Sequence, residues 1–441
     1  MENSLGKKIT FLSLIRYTFP TIIMMMFFSL YTIVDGIFIS RFVGSNALSA
    51  TNIIFPVINI ILGLSVMLAT GGSAIIARLM GEERNKEARE GFTFLIVTLI
   101  SLGIIIAVLC IVFIKPIIYA LGSTEILYDY CRDYLLIMVF FAPVTMLKMF
   151  FDYFLVTAGN PKLGLISAVL GGATNMILDY IFIVPLDMGI KGAALATCIG
   201  YTLPCIIGII YFMNKNQTIY FVKPKAKFKL ILDSSLNGFS EMITQISSAV
   251  TTYLYNIAML SFLGEDGVAA ITIVLYAQFL LVSAYLGFSS GVAPRISYNY
   301  GRKNTEQLKK LVKYSFLFIG ILAVSTFALS RALASTLVGV FSGTGTELYY
   351  ITLHGFNLFS ITFLICGANI FTSGMFTAFS NGKVSAIVSV LRTLVFFVVG
   401  IAILPKFLGS DGVWLVVPCA EILTIVVCGI YIYKYKKVYC Y

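Results

Sequence analysis

The chain has 441 residues, of which 59% are hydrophobic and 12% charged, with a mean hydropathy of +0.95 and a net charge of +11. Soluble domains carry about 25% charged residues, so this composition excludes a soluble enzyme and a DNA-binding protein. No long polar stretch is available as an ectodomain, which also excludes a single-anchor receptor.

The segment Met1 to Arg16 is polar and basic, and the apolar run after it is too long for a signal-peptide core and ends in no small-residue cleavage site, so it is read as a retained first span. Twelve apolar runs follow one another, at 14–39, 48–72, 92–114, 134–157, 163–184, 192–213, 236–262, 268–292, 314–336, 351–377, 384–404 and 413–433. Each is long enough for an apolar helix of ~20 residues to cross a bilayer. The breaks carry turn chemistry, as in Gly44-Ser45-Asn46, Gly159-Asn160-Pro161 and Gly409-Ser410-Asp411-Gly412. The predicted class is an all-α polytopic membrane protein. Its expected parts are an N-lobe (1–213), a connector rich in lysine (214–235) and a C-lobe (236–441).

With the N-terminus inside, the loops on that side hold 23 Lys and Arg residues and the opposite loops hold 6. This bias predicts cytoplasmic termini in a cell membrane. The chain also repeats itself at an offset of 220: Gly44 with Gly264, Gly71 with Gly291, Gly81 with Gly301, Thr157-Ala158 with Thr377-Ala378, and Pro185 with Pro405. Six spans per repeat is an even number. The two lobes should therefore be related by a pseudo-two-fold axis along the membrane normal, with a substrate between them and rocking of one lobe against the other.

Ionisable groups inside spans are costly, so each is a functional candidate. Asp35, Asp179 and Thr197 are each six residues from the outer end of their span, and Asn175 precedes Asp179 by four, on the same helix face. This all-oxygen set could share a proton, hold Na⁺, or merely tie helices together by hydrogen bonds. In the second lobe Glu241, Gln245, Asn256, Gln278 and Arg392 are candidates for substrate binding, with Glu241 paired to Arg392, free for a cationic substrate, or simply part of a helix interface. Lys148 and Asp152, spaced i,i+4, most simply neutralise each other. Glu421 has no assigned role, and the single His354 is read as structural. The eight cysteines form no CxxC pair and read as small buried hydrophobes.

No GxxxxGK[ST], HExxH or Ser/His/Asp pattern is present. No cofactor and no other metal are expected, and energy must come from an ion gradient or another subunit. The expected partners are a small organic substrate and membrane lipid, with no nucleic acid, and the chain is expected to act as a monomer.

The segments "YTIVDGIFISRFVGSNALSA" (31–50), "NMILDYIFI" (175–183), "GIKGAALAT" (189–197) and "GVAPRISYNYG" (291–301) resemble the multidrug and toxic compound extrusion (MATE) antiporters, in the prokaryotic branch of drug exporters and DNA-damage-inducible members. The resemblance covers essentially the whole chain. It implies that Asp35, Asn175, Asp179 and Thr197 form a coupling-cation site for H⁺ or Na⁺, and that Pro20 marks the place where helix 1 bends. Another branch carries a second site with acids on helices 7 and 10. Glu241 matches the first, but span 10 holds no Asp or Glu. The implied function is export of amphipathic, often cationic, organic compounds. Two alternatives remain: a lipid-linked oligosaccharide flippase of the same superfamily, for which Lys148 and Arg392 are the only intramembrane bases, and a polytopic membrane enzyme.

Overall fold

The computed structural model describes residues 4–441, apart from the side chains of Val340 and Phe341, so the first three residues of the expected N-lobe lie outside the described residues. In hydrocarbon every backbone polar group must be satisfied within its own segment, which leaves the helix as the solution for apolar runs of this length. Among the described residues nine helices are long and apolar enough to cross a membrane, and two bent pairs bring the total to 11. The twelfth span comes from Phe228–Gly301, whose 74 residues would reach about 110 Å if straight. It breaks at Gly264 (φ 64°, ψ −150°), a conformation that favours glycine. Tyr255 and Met259 on one arm share a core with Ala270, Ile271 and Val274 on the other, as in a hairpin.

The spanning helices are α1 (Phe11–Phe38), α2 (Ser45–Gly81), α3 (Asn85–Val112), α4 (Glu125–Phe140 with Ala142–Thr157), α5 (Pro161–Ile183) and α6 (Gly189–Met213). The second set is α7 (228–263), α8 (265–301), α9 (Thr305–Ala332), α10 (Glu347–Leu364 with Cys366–Ala378), α11 (Gly382–Leu408) and α12 (Val416–Tyr439). The 220-residue offset holds at both ends of α3 against α9 and at the starts of the short helices Ile114–Ala120 and Ala334–Ser342. It holds for left-handed backbone positions too: Gly44 and Gly264, Glu83 and Lys303, Gly189 and Gly409.

Local chemistry explains the ends and bends. Thr10 and Ser13 form a reciprocal capping box at the start of α1, and Asn160 and Asn381 cap α5 and α11 through the Leu163 and Val384 amides. α4 bends by 57° where Pro143 begins its second part, and α10 bends by 40°. The connector is shorter than the sequence suggests, because α7 starts at Phe228 rather than 236. Its first turns are too polar for an apolar-run criterion, yet they are helical. α1 runs as one α-helix from Phe11 to Phe38 through Pro20, so no break is present at that proline.

Both chain ends lie on one face. Ser4 Oγ donates to the Gly159 carbonyl between α4 and α5, Arg295 near the end of α8 donates to the Ser4 carbonyl at 3.0 Å, and Tyr439 stacks on Phe379 after α10. On this terminal face the lobes meet backbone to backbone. A Cβ at Gly71 of α2 would sit 2.8 Å from the Gly238 amide of α7, and one at Gly287 of α8 would sit 2.6 Å from Ile22 Cα of α1. Gly287 and Gly291 form a small-xxx-small stripe of the kind that lets membrane helices approach closely. Residues 4–10 add a strap: the Ile9 amide donates to Gln307 at 2.9 Å, and Arg295 stacks on Tyr17 at 4.1 Å. The inter-lobe polar and ring contacts continue up to Ser29–Ser283 and Phe28–Phe279, and among the described residues none lies nearer the opposite face.

Candidate functional site

α1, α5 and α6 bring the four N-lobe candidates together. Asp35 and Asp179 lie beside each other with Asn175 next to Asp179, and Asn175 Nδ2 donates to Thr197 Oγ1 at 3.4 Å. Thr197 Oγ1 itself donates to the Ala193 carbonyl. The cluster is deep, with Asp179 at 0% and Asn175 at 2% exposure. Four of its buried oxygens, Asp35 Oδ1, Asn175 Oδ1 and both of Asp179, accept no hydrogen bond from the protein. Oxygens that face one another without donors repel unless a proton or a cation stands between them.

Three tyrosines that sequence reasoning missed complete the surroundings. Tyr31 and Tyr201 lie close to each other, and Tyr134 on α4 lies within electrostatic range of both carboxyls. Spacing held the signal: Tyr31 precedes Asp35 by four residues and Tyr201 follows Thr197 by four, so each shares a face with its neighbour. Lys148 and Asp152 pair at 2.8 Å, with Lys148 over the rings of Phe28 (4.9 Å) and Tyr201 (5.3 Å). The i,i+4 pair thus touches the shell of the acid cluster.

The five C-lobe candidates do not form one site. Arg392, carried on a π-helical turn of α11 (Leu391–Val395), donates to Glu421 Oε1 of α12 at 2.8 Å, and Asn369 of α10 donates to Glu421 Oε2 at 2.6 Å. The direct partner of Arg392 is therefore Glu421 and not Glu241. Glu241 lies only within electrostatic range of Arg392, and it also faces Tyr153 of the N-lobe. Gln245, one turn on, packs 3.5 Å from the Cβ position of Gly63 on α2, so both residues sit where the lobes meet. Asn256 is about 16 Å further along α7 than Gln245, lining a cavity of about 720 Å³ between the halves of α7 and α8 that lie away from the termini. Gln278 is half-buried on α8. His354 pairs with Asp411 at 2.7 Å on the face opposite the termini.

Twelve spanning helices in two similar halves, joined on the terminal face and with a buried acid pair toward the opposite end of the first half, have the layout of a transporter of the parallel-repeat kind. Among the described residues no group of three or more His, Cys, Asp or Glu could hold a metal. The MatE family model matches residues 20–181 and again 239–402, at nearly the 220-residue interval, and the chain belongs to this family of membrane transporters, which are not enzymes. It is similar to the multidrug export protein MepA of Staphylococcus saprophyticus subsp. saprophyticus, 25% identical over 426 residues, covering 92% of this chain and 89% of that one. MepA of Staphylococcus aureus is also 25% identical, with 92% and 90% covered. Among solved structures, MATE in the straight conformation superposes with a TM-score of 0.93 at 22% identity, covering 100% of this chain and 99% of that one. An outward-facing multidrug resistance MATE transporter of the MOP superfamily superposes at 0.91 with 22% identity, covering 97% and 96%.

Proposed function

We propose that this chain is a secondary active antiporter that exports amphipathic, often cationic, organic compounds in exchange for H⁺ or Na⁺, and that it needs no cofactor beyond that ion. The observation that carries the reading is the donor-poor oxygen cluster of Asp35, Asn175, Asp179 and Thr197. A proton or Na⁺ bound between the two carboxyls relieves their repulsion and draws α1, α5 and α6 together. α1 also packs against Gly287 and Gly291 of α8, so movement at Asp35 is passed to the contact between the lobes. The multidrug export relatives support the substrate class.

The 23-to-6 excess of Lys and Arg supports cytoplasmic termini in a cell membrane. In that orientation the closed terminal face is the cytoplasmic one, and the cleft opens outward. Substrate meets Glu241 and Gln245 at the floor of the cleft, with membrane lipid around a monomer and no nucleic acid involved. Both intramembrane bases, Lys148 and Arg392, are already paired with Asp152 and Glu421, so neither is available to a pyrophosphate-linked lipid. Purified protein in liposomes, with an imposed pH or Na⁺ gradient and a fluorescent organic cation, tests the reading. Gradient-driven movement that is lost in Asp35→Asn is expected, and movement indifferent to both gradients refutes it.

A further inference from the structure

The lysine-rich connector is not used by the transport cycle described above. Its path is set by an aromatic anchor. Phe221 inserts beside Phe92 of α3, with centroids 5.6 Å apart, and its amide donates to the Phe212 carbonyl at 2.9 Å. The Val222 amide donates to Thr93 Oγ1 at 3.1 Å. Arg89 of α3 stacks on Tyr220 at 4.2 Å and donates to the Thr218 carbonyl at 3.0 Å. The connector is thus pinned to the N-lobe, and Lys223 and Lys225, two residues apart in extended chain, are presented from a fixed backbone.

Together these elements line an open-sided cavity of about 500 Å³, with Lys86, Arg89, Glu90, Tyr220, Lys223 and Lys225 on its walls. Four cations face one carboxylate, and that carboxylate is already paired with Lys225 at 3.2 Å and with Lys227 at 3.4 Å. Lys86 and Lys223 have no ion-pair partner among the described residues. A second, independent feature lies beside it. Phe228, Leu232 and Leu236, one turn apart on α7, are 77%, 59% and 59% exposed, and Phe228 meets Phe94 of α3 edge to face at 6.0 Å. Val97, nearly a turn further along α3, is also exposed. An apolar strip that starts at the rim of a basic cavity matches a ligand with an anionic head and acyl tails.

We propose that this cavity binds the phosphate headgroup of an anionic phospholipid in the leaflet on the terminal side, with the acyl chains lying along Phe94, Val97, Phe228 and Leu232. Basic pockets at the membrane surface recognise such headgroups, and each nearby Lys or Arg adds to the attraction. The lipid fastens the connector to α3, so the N-lobe carries it as one body.

The test is thermal unfolding of the detergent-purified full chain titrated with phosphatidylglycerol, phosphatidylcholine or inorganic phosphate. Phosphatidylglycerol alone should raise the melting temperature. In K86Q/K223Q its apparent affinity should fall roughly 30-fold, the equivalent of about 2 kcal/mol. K309Q/K313Q removes two exposed lysines from the same face without touching the cavity and should respond as the unsubstituted chain does. An equal response to phosphatidylcholine, an unchanged response in K86Q/K223Q, or equal losses in both double variants overturns the proposal. Stabilisation by inorganic phosphate that phosphatidylglycerol does not exceed also overturns it, by making the ligand a soluble anion.

Discussion

Substituting Gly71 or Gly238 by alanine should shift the balance between the closed and open states of the terminal face. In the native contact α2 and α7 touch through their backbones. A Cβ at Gly71 overlaps the Ser234 carbonyl oxygen and lies 2.8 Å from the Gly238 amide, and one at Gly238 overlaps the Met67 carbonyl oxygen. Backbone atoms cannot turn aside as a side chain would, so the helices must separate. Overpacking of this kind costs about 1–3 kcal/mol. Within each helix alanine is favoured over glycine by about 1 kcal/mol, so the penalty falls on docking of the lobes and not on folding. A penalty of 1–3 kcal/mol corresponds to about a 5- to 150-fold change in the equilibrium between lobe arrangements. Spin labels at Lys86→Cys and Lys309→Cys, one on each lobe, report that distance by double electron–electron resonance once the exposed Cys440 is replaced by serine. Both glycine variants should broaden or lengthen the terminal-face distance. Gly320→Ala and Gly429→Ala, where a Cβ meets nothing within 4 Å, should not. An unchanged distribution in Gly71→Ala and Gly238→Ala refutes the argument that close backbone packing holds this face shut.

Three further outcomes are expected. Asp35→Asn or Asp179→Asn should abolish ion-coupled export in cells while the protein still inserts, and unsubstituted levels of drug resistance in either variant would refute the coupling role. Glu241→Gln should weaken binding of a monovalent organic cation by ~1–3 kcal/mol while sparing a neutral ligand; equal losses in a titration of both ligands would make Glu241 a structural or coupling group. Glu421→Gln strands the guanidinium of Arg392 in the C-lobe and should destabilise by roughly 3–5 kcal/mol, much of it recovered when Arg392→Met is added, and a melting temperature unchanged by Glu421→Gln would count against the pair.

Much of this architecture is legible in the linear chain because the bilayer imposes few solutions. Apolar runs must be helices of a set length, and a 220-residue repetition of glycines, prolines and small residues reflects turns and close contacts that each half makes in the same way. The Asp35, Asn175, Asp179 and Thr197 set could be read because counting residues from a span end gives depth, and depth is conserved when helices pack side by side. The same counting failed at α7. Its polar first turns hid eight residues of helix, from Phe228 to residue 235, and placed Glu241 too near a helix end.

What the sequence determined by itself is therefore whatever depends on position along a helix: the spans, the repeat and the level of each buried acid. Rotation and neighbour choice were decided only in three dimensions. Arg392 could have paired with either Glu241 or Glu421, since both acids lie inside spans, and only the packing of α10, α11 and α12 assigns it to Glu421 with Asn369. The tyrosine shell around the acid pair, the separation of Asn256 from Glu241 and the closed terminal face are of the same kind. Side-chain periodicity shows which residues share a face but not which helix that face meets, and partner choice rests on contacts between residues hundreds of positions apart, such as Arg295 with Ser4.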